Sequence, residues 1–479
     1  MSTHAFLAAL LTLVHFAAIV RALLVDGRDP YTRAAWVMAL MLFPVLGVVA
    51  YFLVGEAWVS RGFRKHANAV TRRLAWLCPS PLHAEALDSI PPEYRTAFRT
   101  CEGIARTAVA AGNRATLAAD SNAAIEGMAD DIAAARVHVH LSTYIWLEDH
   151  NGLAMVEALC AAAARGVTCR VSADAIGSRA MIASDHWRRM ERAGVRLCPS
   201  LTPPKLLGPL GAHRLDLRNH RKLMVVDGRV AWCGSQNLAD PEFRVKPKYA
   251  PWVDLMVRLE GPVVAQQQLI FAAAWTVETD EDLGALVAAA HPGALPGGFP
   301  AIAFATGPLT PRGARSNAFV AAIDAAQARL TVTTPYFVPD PPLLAALVGA
   351  GRRGVAVRLV VPARNDSRMI GAISKALYAQ LVDAGIDLFE YRGGLLHSKT
   401  LVADEALVML GSSNMDRRSL ELNFENDLLL WSPAFAAEIA RRQESYIAHA
   451  RAVDPDRVAH RSIAKRLVEN LLTIAGAIF

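Results

Sequence analysis

Two stretches of the chain carry the same polar residues at the same spacing, and those residue types suit chemistry on phosphorus. The first is HRKLMVVDGRVAWCGSQN, residues 220–237, and the second is HSKTLVADEALVMLGSSN, residues 397–414. Both fit the pattern His-x-Lys-x4-Asp-x6-Gly-Ser-x-Asn, and the two copies lie 177 residues apart. Because every fixed position recurs in order, a shared role is favoured over coincidence.

The spacing predicts where these side chains point. His220 and Lys222 are two residues apart at the start of an apolar run, so on a strand they share one face. Asp227-Gly228 is a hairpin-turn signal, and the returning strand brings Ser235 and Asn237 back beside the start. The second copy predicts the same cluster from four residues: His397, Lys399, Ser412 and Asn414.

Two such clusters facing each other suit a phosphodiester. Two ammonium groups, with the Ser and Asn side chains, would bind the phosphate oxygens and stabilise charge that develops on phosphorus. One imidazole would attack phosphorus and form a phosphohistidine, while the other protonates the departing alcohol. The sequence lacks the clustered carboxylates of a two-metal site, so we predict neither a metal nor a cofactor.

Four acidic residues accompany the motifs. Asp254 in PWVDL and Glu425 in NFEND each follow a Gly-Ser-x-Asn, and we predict that they orient the histidines; a solvated acid at a strand start is the alternative. Asp227 and Asp404 are counted with the catalytic residues because they belong to the motif. Their position five residues past the lysines nevertheless favours a turn or scaffold role.

Weaker signals lie at two other strand-like runs. His138 and His140 share one strand face and could bind a metal, although ordinary packing is the favoured interpretation. Aromatic residues at the ends of two runs could line the mouth of the site or pack in the core: Tyr144, Trp146, Tyr336 and Phe337.

The elements that position these residues read as a duplicated α/β unit. Helical and strand-like segments alternate from about residue 113, which predicts a largely parallel sheet. The second half repeats the order of the first, with a 201–213 insertion before the first motif and a Gly- and Pro-rich joint at 291–300. We therefore predict two facing αβα domains, at 113–290 and 300–455, after a linker at 57–112.

The N-terminus predicts membrane association. Of the 479 residues 53% are hydrophobic, and segments 5–20 and 34–54 are almost wholly apolar. The second has 21 uncharged residues, enough to cross the bilayer as a helix. We predict a transmembrane hairpin within 1–56; a cleaved signal peptide or a buried hairpin are the alternatives. Five basic residues after the hairpin, against three in its loop, favour a cytoplasmic catalytic domain.

The remaining bulk features are consistent with this picture. The net charge of +6 suits an anionic partner such as a phospholipid surface or a nucleic acid. Six scattered cysteines without a CxxC pair argue against disulfides. The tail, 456–479, predicts an amphipathic helix with basic flanks, which would lie on an anionic membrane or dock on its own domain.

The paired motifs resemble the phospholipase D superfamily, and YIW, TPYFVPD, LHSKTLVAD and SLELNFEND resemble its membrane-bound branch, bacterial cardiolipin synthase. The resemblance implies condensation of two phosphatidylglycerols through a phosphatidyl-histidine, with His220 as nucleophile and His397 as general acid and base. It implies phosphate binding by Lys222, Lys399, Asn237 and Asn414. The stretch LADPEFRVKPKYAPWVDL departs from the commoner synthase pattern. This departure leaves the identity of the acceptor alcohol open.

The resemblance implies a multi-pass protein of the bacterial inner membrane that acts on phosphatidylglycerol and not on nucleic acid. Three alternatives stay open from the residues alone: a phospholipase D that hydrolyses lipids, a nuclease of the same superfamily, and a non-catalytic membrane scaffold. The apolar segments disfavour the nuclease, and two intact motifs disfavour the scaffold. The sequence does not predict the oligomeric state.

Overall fold

The structure is a computed structural model, and it describes residues 3–25, 28–56, 59–78, 83–202 and 216–476. The 201–213 insertion therefore lies, from residue 203 on, outside the described residues. The chain begins with three apolar helices, α1 Thr3–Leu24, α2 Pro30–Leu42 and α3 Pro44–Val54. Of the helices in the described ranges, α1 is the one long and apolar enough to cross a membrane.

The prediction of one continuous helix over 34–54 is wrong, because α2 ends at Leu42 and α3 starts at Pro44. Proline has no N–H for the helix and restricts Phe43 before it, which leaves the helical region at φ −129° and ψ 74°. The three helices still pack together, with the rings of Trp36 and Tyr51 5.2 Å apart. Glu56 joins α3 to α1 by accepting hydrogen bonds from Tyr51 and Arg21.

Three helices connect this segment to the sheet: α4 Arg61–Leu77, α5 His83–Asp88 and α6 Pro92–Ala105. Ser60 caps α4 by accepting the N–H of Phe63. Leu74 of α4 and Phe98 of α6 are fully buried. The predicted linker is thus mostly helical and packs on the main body of the protein.

The first half of the main body follows the expected alternation of helix and strand. Its elements are β1 Ala110–Leu117, α7 Ser121–Ala134, β2 His138–Thr143, α8 His150–Ala164, β3 Thr168–Asp174, α9 Arg179–Ala183, α10 Asp185–Arg192, β4 Arg196–Ser200, β5 Leu223–Val226, β6 Val230–Gly234, β7 Trp252–Val253, β8 Met256–Glu260, α11 Val263–Thr279 and α12 Gly284–Ala289.

The second half repeats this order and adds a helical tail. Its elements are β9 Phe299–Thr306, α13 Ala314–Asp324, β10 Arg329–Thr333, β11 Phe337–Val338, α14 Pro341–Arg352, β12 Ala356–Pro362, α15 Arg368–Ala376, α16 Tyr378–Asp383, β13 Asp387–Tyr391, β14 Leu395–Leu396, β15 Thr400–Ala403, β16 Leu407–Gly411, β17 Met415–Asp416, β18 Glu425–Trp431, α17 Pro433–Ala448, β19 Ala450–Ala452, α18 Pro455–Ala459 and α19 Ile463–Gly476.

Fifteen of the nineteen described strands form one continuous sheet in the order β19-β13-β12-β10-β15-β16-β18-β9-β1-β8-β6-β5-β2-β3-β4, and the other four form the two-stranded sheets β11-β17 and β14-β7. The halves are joined edge to edge by the antiparallel pair β1–β9, and the strand order on each side of this pair mirrors the other. Helices α11 and α17 pack on one face, and α7, α8 and α14 complete the layers in their own halves. The duplicated α/β architecture is confirmed.

The predicted parallel character of the sheet is wrong. Among the described strands of this sheet only β2–β3, β3–β4, β10–β12 and β12–β13 are parallel pairs. The reason lies in the motifs themselves. Each turns back on itself through a tight hairpin, β5–β6 or β15–β16, and hairpins produce antiparallel pairs.

Candidate active site

Each motif histidine is held by a strand segment from the opposite half of the molecule. The backbone N–H of His220 donates to the carbonyl of Phe424 (2.8 Å), and its Nδ1 lies 2.8 Å from Oε2 of Glu425. The backbone N–H of His397 donates to the carbonyl of Val253 (2.8 Å), and its Nδ1 lies 2.6 Å from Oδ1 of Asp254. The two predicted orienting carboxylates therefore cross between the halves.

The motif serines contact these carboxylates. Ser235 donates to Asp254 Oδ1 (2.6 Å), and Ser412 donates to Glu425 Oε2 (2.5 Å). Ser419 donates to the other oxygen of Glu425 (2.9 Å). Both serines were expected to bind substrate phosphate. In the structure their hydroxyls contact the carboxylates that hold the histidines.

The motif lysines lie beside their histidines and are almost fully buried. Lys222 Nζ donates to the carbonyl of His220 (2.8 Å), and Lys399 Nζ donates to the carbonyl of His397. Lys222 also lies over the ring of Tyr144, 5.2 Å from its centroid. Burial lowers the pKa of Lys222 to about 7 and that of Lys399 to about 8, so an anion between them would restore their charge.

The motif asparagines differ in their contacts. Asn237 Oδ1 accepts the N–H of Ile145 at 3.3 Å, which ties it to the loop after β2. Asn414 is also buried, but its Oδ1 has no hydrogen-bond partner within the described part of the chain. An Oδ1 without a partner accepts a hydrogen bond from a donor such as a hydroxyl, whereas phosphate binding by Asn414 would use its Nδ2 donors and stays a prediction.

Asp227 and Asp404, counted with the catalytic residues of the motif, have the contacts of the turn role that their spacing favoured. Asp227 accepts the N–H groups of Arg136, Val137 and His138, and Asp404 accepts three from Gln327 to Arg329. Both lie at the hairpin turns, across the whole length of β5 or β15 from the histidines, with positive φ angles of 52°. They hold the turns to the neighbouring strands.

The two histidines have different electrostatic surroundings. Burial, with the nearby charges of Lys222 and Lys399, lowers the pKa of His220 well below its ordinary value. Burial also lowers the pKa of His397, but the charge of Asp254 opposes it. Burial raises the pKa of Asp254, but His397, Lys399 and Ser235 together outweigh it and hold that pKa below its ordinary value, whereas burial raises the pKa of Glu425. The surroundings of His220 thus disfavour its protonated form more strongly than those of His397 do.

Aromatic rings pack beside both histidines. Tyr144 lies 4.8 Å from His220 between ring centroids, and Trp252 and Tyr336 lie 4.7 and 6.4 Å from His397. Of the four aromatic residues singled out in the sequence, Tyr144 and Tyr336 lie beside the histidines. Trp146 and Phe337 are buried in the core.

Tyr336 also donates to Asp366 (2.8 Å), which forms an ion pair with Lys246. Lys246 belongs to the stretch that departs from the commoner synthase pattern, so this stretch borders the histidine cluster.

Several contributors were missed from the sequence. Arg315, buried to 1% exposure, donates to Thr306 Oγ1 (2.6 Å) and to the carbonyl of Asn423 (3.2 Å). Its charge lowers the pKa of His220 and opposes the rise in that of Glu425. Nothing in PRGARSN distinguishes Arg315 from a polar helix start. Ser419 and Asn423 could have been found, because both lie in SLELNFEND next to Glu425.

His138 and His140 lie outside this cluster. Their rings stack at 4.4 Å, and both contact Oε1 of Gln268 on α11. Phe271 stacks on His140 at 4.6 Å. These contacts fit the packing interpretation.

Comparisons with known proteins agree with this geometry. A family model described as "Cardiolipin synthase, PLD-like domain" matches residues 128–275 and 319–447, and one described as "Phospholipase_D-nuclease N-terminal" matches 13–56. Cardiolipin synthase A of Erwinia tasmaniensis is 34% identical, and the alignment covers 95% of this chain and 94% of that protein. Cardiolipin synthase A of Klebsiella pneumoniae is 32% identical over the same shares.

Among solved structures, phosphatidylserine synthase of Haemophilus influenzae superposes with a TM-score of 0.57 at 13% identity. The match covers 80% of this chain and 98% of that one. At this identity the likeness supports the fold alone.

Proposed function

Because this chain belongs to the family of cardiolipin synthases with a PLD-like domain, we propose that it is a phosphatidyltransferase that condenses two phosphatidylglycerols into cardiolipin and glycerol. One observation carries the proposal. His220 and His397 are both buried, and each is hydrogen-bonded to a carboxylate of the other half. The buried Lys222 and Lys399 lie beside them, and their charges lower the pKa of His220.

The first step transfers a phosphatidyl group to the protein. His220 donates its Nδ1–H to Glu425, which leaves the lone pair on Nε2 directed at phosphorus. Nε2 forms a bond to phosphorus while the bond from phosphorus to the glycerol oxygen breaks. His397, whose protonated form the charge of Asp254 stabilises against burial, gives its Nε2 proton to that oxygen, and glycerol leaves. Lys222 and Lys399 stabilise the charge on the phosphate oxygens.

The second step reverses these roles with a different alcohol. The terminal hydroxyl of a second phosphatidylglycerol gives its proton to His397, and its oxygen attacks phosphorus. The bond from phosphorus to Nε2 of His220 breaks, which releases cardiolipin and restores both histidines. In this scheme Ser235 and Ser412 hold the orienting carboxylates, and Asn237 and Asn414 bind the phosphate.

The same reasoning gives a place in the cell. We propose a protein of the bacterial inner membrane, anchored within residues 1–56, with catalytic halves at 113–290 and 300–455 on the cytoplasmic side. The long apolar α1 and the family match over 13–56 support the anchor. Phospholipids of that bilayer would be both donor and acceptor.

A labelled-lipid assay tests the proposal. Purified full-length protein in detergent is supplied with phosphatidylglycerol labelled in both the headgroup and the acyl chains, with and without a chelator. Cardiolipin with free glycerol in equal amounts supports it, and His220→Ala and His397→Ala should each abolish the product. Phosphatidic acid as the main product would identify a hydrolase, and cleavage of DNA without action on lipid would identify a nuclease.

A further inference from the structure

The C-terminal helix α19 has an apolar side that faces away from the protein. Five large side chains on one stripe are 45 to 83% exposed: Ile463, Leu467, Val468, Leu471 and Ile474. A helix that packs on a water-soluble domain normally turns its apolar side inward. The orientation of α19 is the reverse, and an exposed stripe of this kind marks a binding surface.

A buried acidic side chain lies on the side of α19 opposite the apolar stripe. Glu469 is 7% exposed and accepts a hydrogen bond from Arg461 Nη1 at 2.5 Å, and Lys465 Nζ lies 3.9 Å from its other oxygen. The helix packs along α15. Glu469 thus faces the protein, and the apolar stripe on the other side of α19 faces outward.

The position of α19 in the fold identifies the partner. Helix α15 contacts β11, and β11 pairs with β17. Directly after β17, Arg417 donates to Thr32 of α2 (3.1 Å). The exposed stripe therefore lies at the same end of the molecule as the apolar helices α1–α3. The exposed basic residues Lys465 and Arg466 flank the stripe and complement anionic headgroups.

The same end of the molecule carries the rim of the candidate active site. Helix α15 begins at Arg368, two residues after Asp366, which accepts the hydroxyl of Tyr336 beside His397. We propose that α19 lies in the headgroup region of the bilayer that holds α1, with its apolar stripe among the acyl chains. It thereby holds the His397 side of the cleft against the lipid surface.

A fluorescent label on α19 tests this surface without reference to catalysis. Among the described cysteines only Cys160 is not fully buried, so full-length protein with Cys160→Ser accepts a label at Leu471→Cys. The matched control is Val137→Cys, because Val137 is equally exposed but precedes β2 at the end of the sheet away from His220. Both proteins carry an environment-sensitive fluorophore and are placed in bilayers of phosphatidylglycerol and phosphatidylethanolamine.

The inference predicts a blue-shifted emission at position 471, quenched by lipids with spin labels on their acyl chains, and no quenching at position 137. Equal behaviour of the two labels would overturn it. So would a position-471 label that lipid quenchers do not reach but that transfers energy to a second labelled copy, since the stripe would then be a protein contact.

A second arm concerns activity and rests on the proposed function. Leu467→Glu combined with Leu471→Glu should lower turnover of phosphatidylglycerol in vesicles and leave turnover in detergent micelles unchanged. Val137→Glu should leave both unchanged. An equal loss in vesicles and micelles, or no loss in either, would contradict a role in holding the cleft to the bilayer. If wild-type protein made no cardiolipin at all, the fluorescence arm would still decide where α19 lies.

Discussion

The crossed carboxylates give the sharpest test of the mechanism. Glu425→Gln should impair the histidine of the other half, His220, and Asp254→Asn should impair His397. Both substitutions keep the side chain's shape and an oxygen that accepts the Nδ1–H, and both remove the negative charge. For Glu425→Gln, Ser419 can rotate its hydroxyl to accept from the new amide, so we expect the fold to survive.

The expected magnitude follows from burial. Glu425 is 0% exposed, and its oxygen lies 2.8 Å from Nδ1 of His220, so solvent does not screen the pair. A hydrogen bond to a charged partner contributes roughly 1.5–3 kcal/mol, against about 1 for a neutral one. The difference is about 0.5–2 kcal/mol, and at about 1.36 kcal/mol per factor of ten, replacing the charged bond by a neutral one slows the step by about 2- to 30-fold.

A substrate with a good leaving group separates the two histidines. In the 4-nitrophenyl ester of phosphatidic acid, nitrophenolate leaves without being protonated, so the first step needs the nucleophile but not the acid. A wild-type burst of nitrophenolate should persist in Asp254→Asn, followed by a slow second step and accumulation of phosphorylated His220. Glu425→Gln should slow the burst itself by the factor above.

The matched control is Asp427→Asn on the same strand. Asp427 is a buried carboxylate that accepts from Ser413 and not from a histidine, so its loss should leave the ratio of burst to steady state unchanged. A burst that is slowed in Asp254→Asn and spared in Glu425→Gln would refute the assignment of His220 as nucleophile. Equal slowing in both variants would refute the division of roles between the histidines.

Three further outcomes follow from the site. Burial lowers the pKa of Lys222 to about 7 and that of Lys399 to about 8, so both lose charge as pH rises and kcat/KM should fall above that range. Lys222→Arg should move this fall to higher pH, and a pH profile that does not move would contradict the role of Lys222. Asp227→Ala and Asp404→Ala each remove an acceptor of three backbone N–H groups, so each should lower the denaturation temperature and leave kcat/KM at low temperature unchanged. A loss of activity without a loss of stability would show that these carboxylates act in catalysis. Asn414→Ala removes an Oδ1 that has no partner in the described residues, so it should not lower the denaturation temperature. If the Nδ2 donors of Asn414 bind the phosphate, it should lower kcat/KM about tenfold, and unchanged kinetics would exclude that binding.

Local sequence patterns were enough to predict the motif residues and the duplication of the α/β unit. The two-residue spacing of each His and Lys at the start of an apolar run, and a hairpin signal after it, depend only on strand and turn geometry. The same local rules misjudged two elements. The strand direction was wrong because each motif forms its own hairpin, and the helix over 34–54 was wrong because Pro44 interrupts it.

The sequence by itself determined that two equivalent sets of His, Lys, Ser and Asn exist, that Asp254 and Glu425 accompany them, and that the chain begins with apolar helices. Only the tertiary structure decided that Glu425 serves His220 and Asp254 serves His397, that Arg315 lies buried behind Glu425, and that α19 turns its apolar stripe outward. The physical reason is that these contacts depend on which strands of the two halves meet. The halves meet where β7 pairs with β14, where Asn219 bridges Phe424 and where β1 pairs with β9, and no spacing within a motif encodes these pairings.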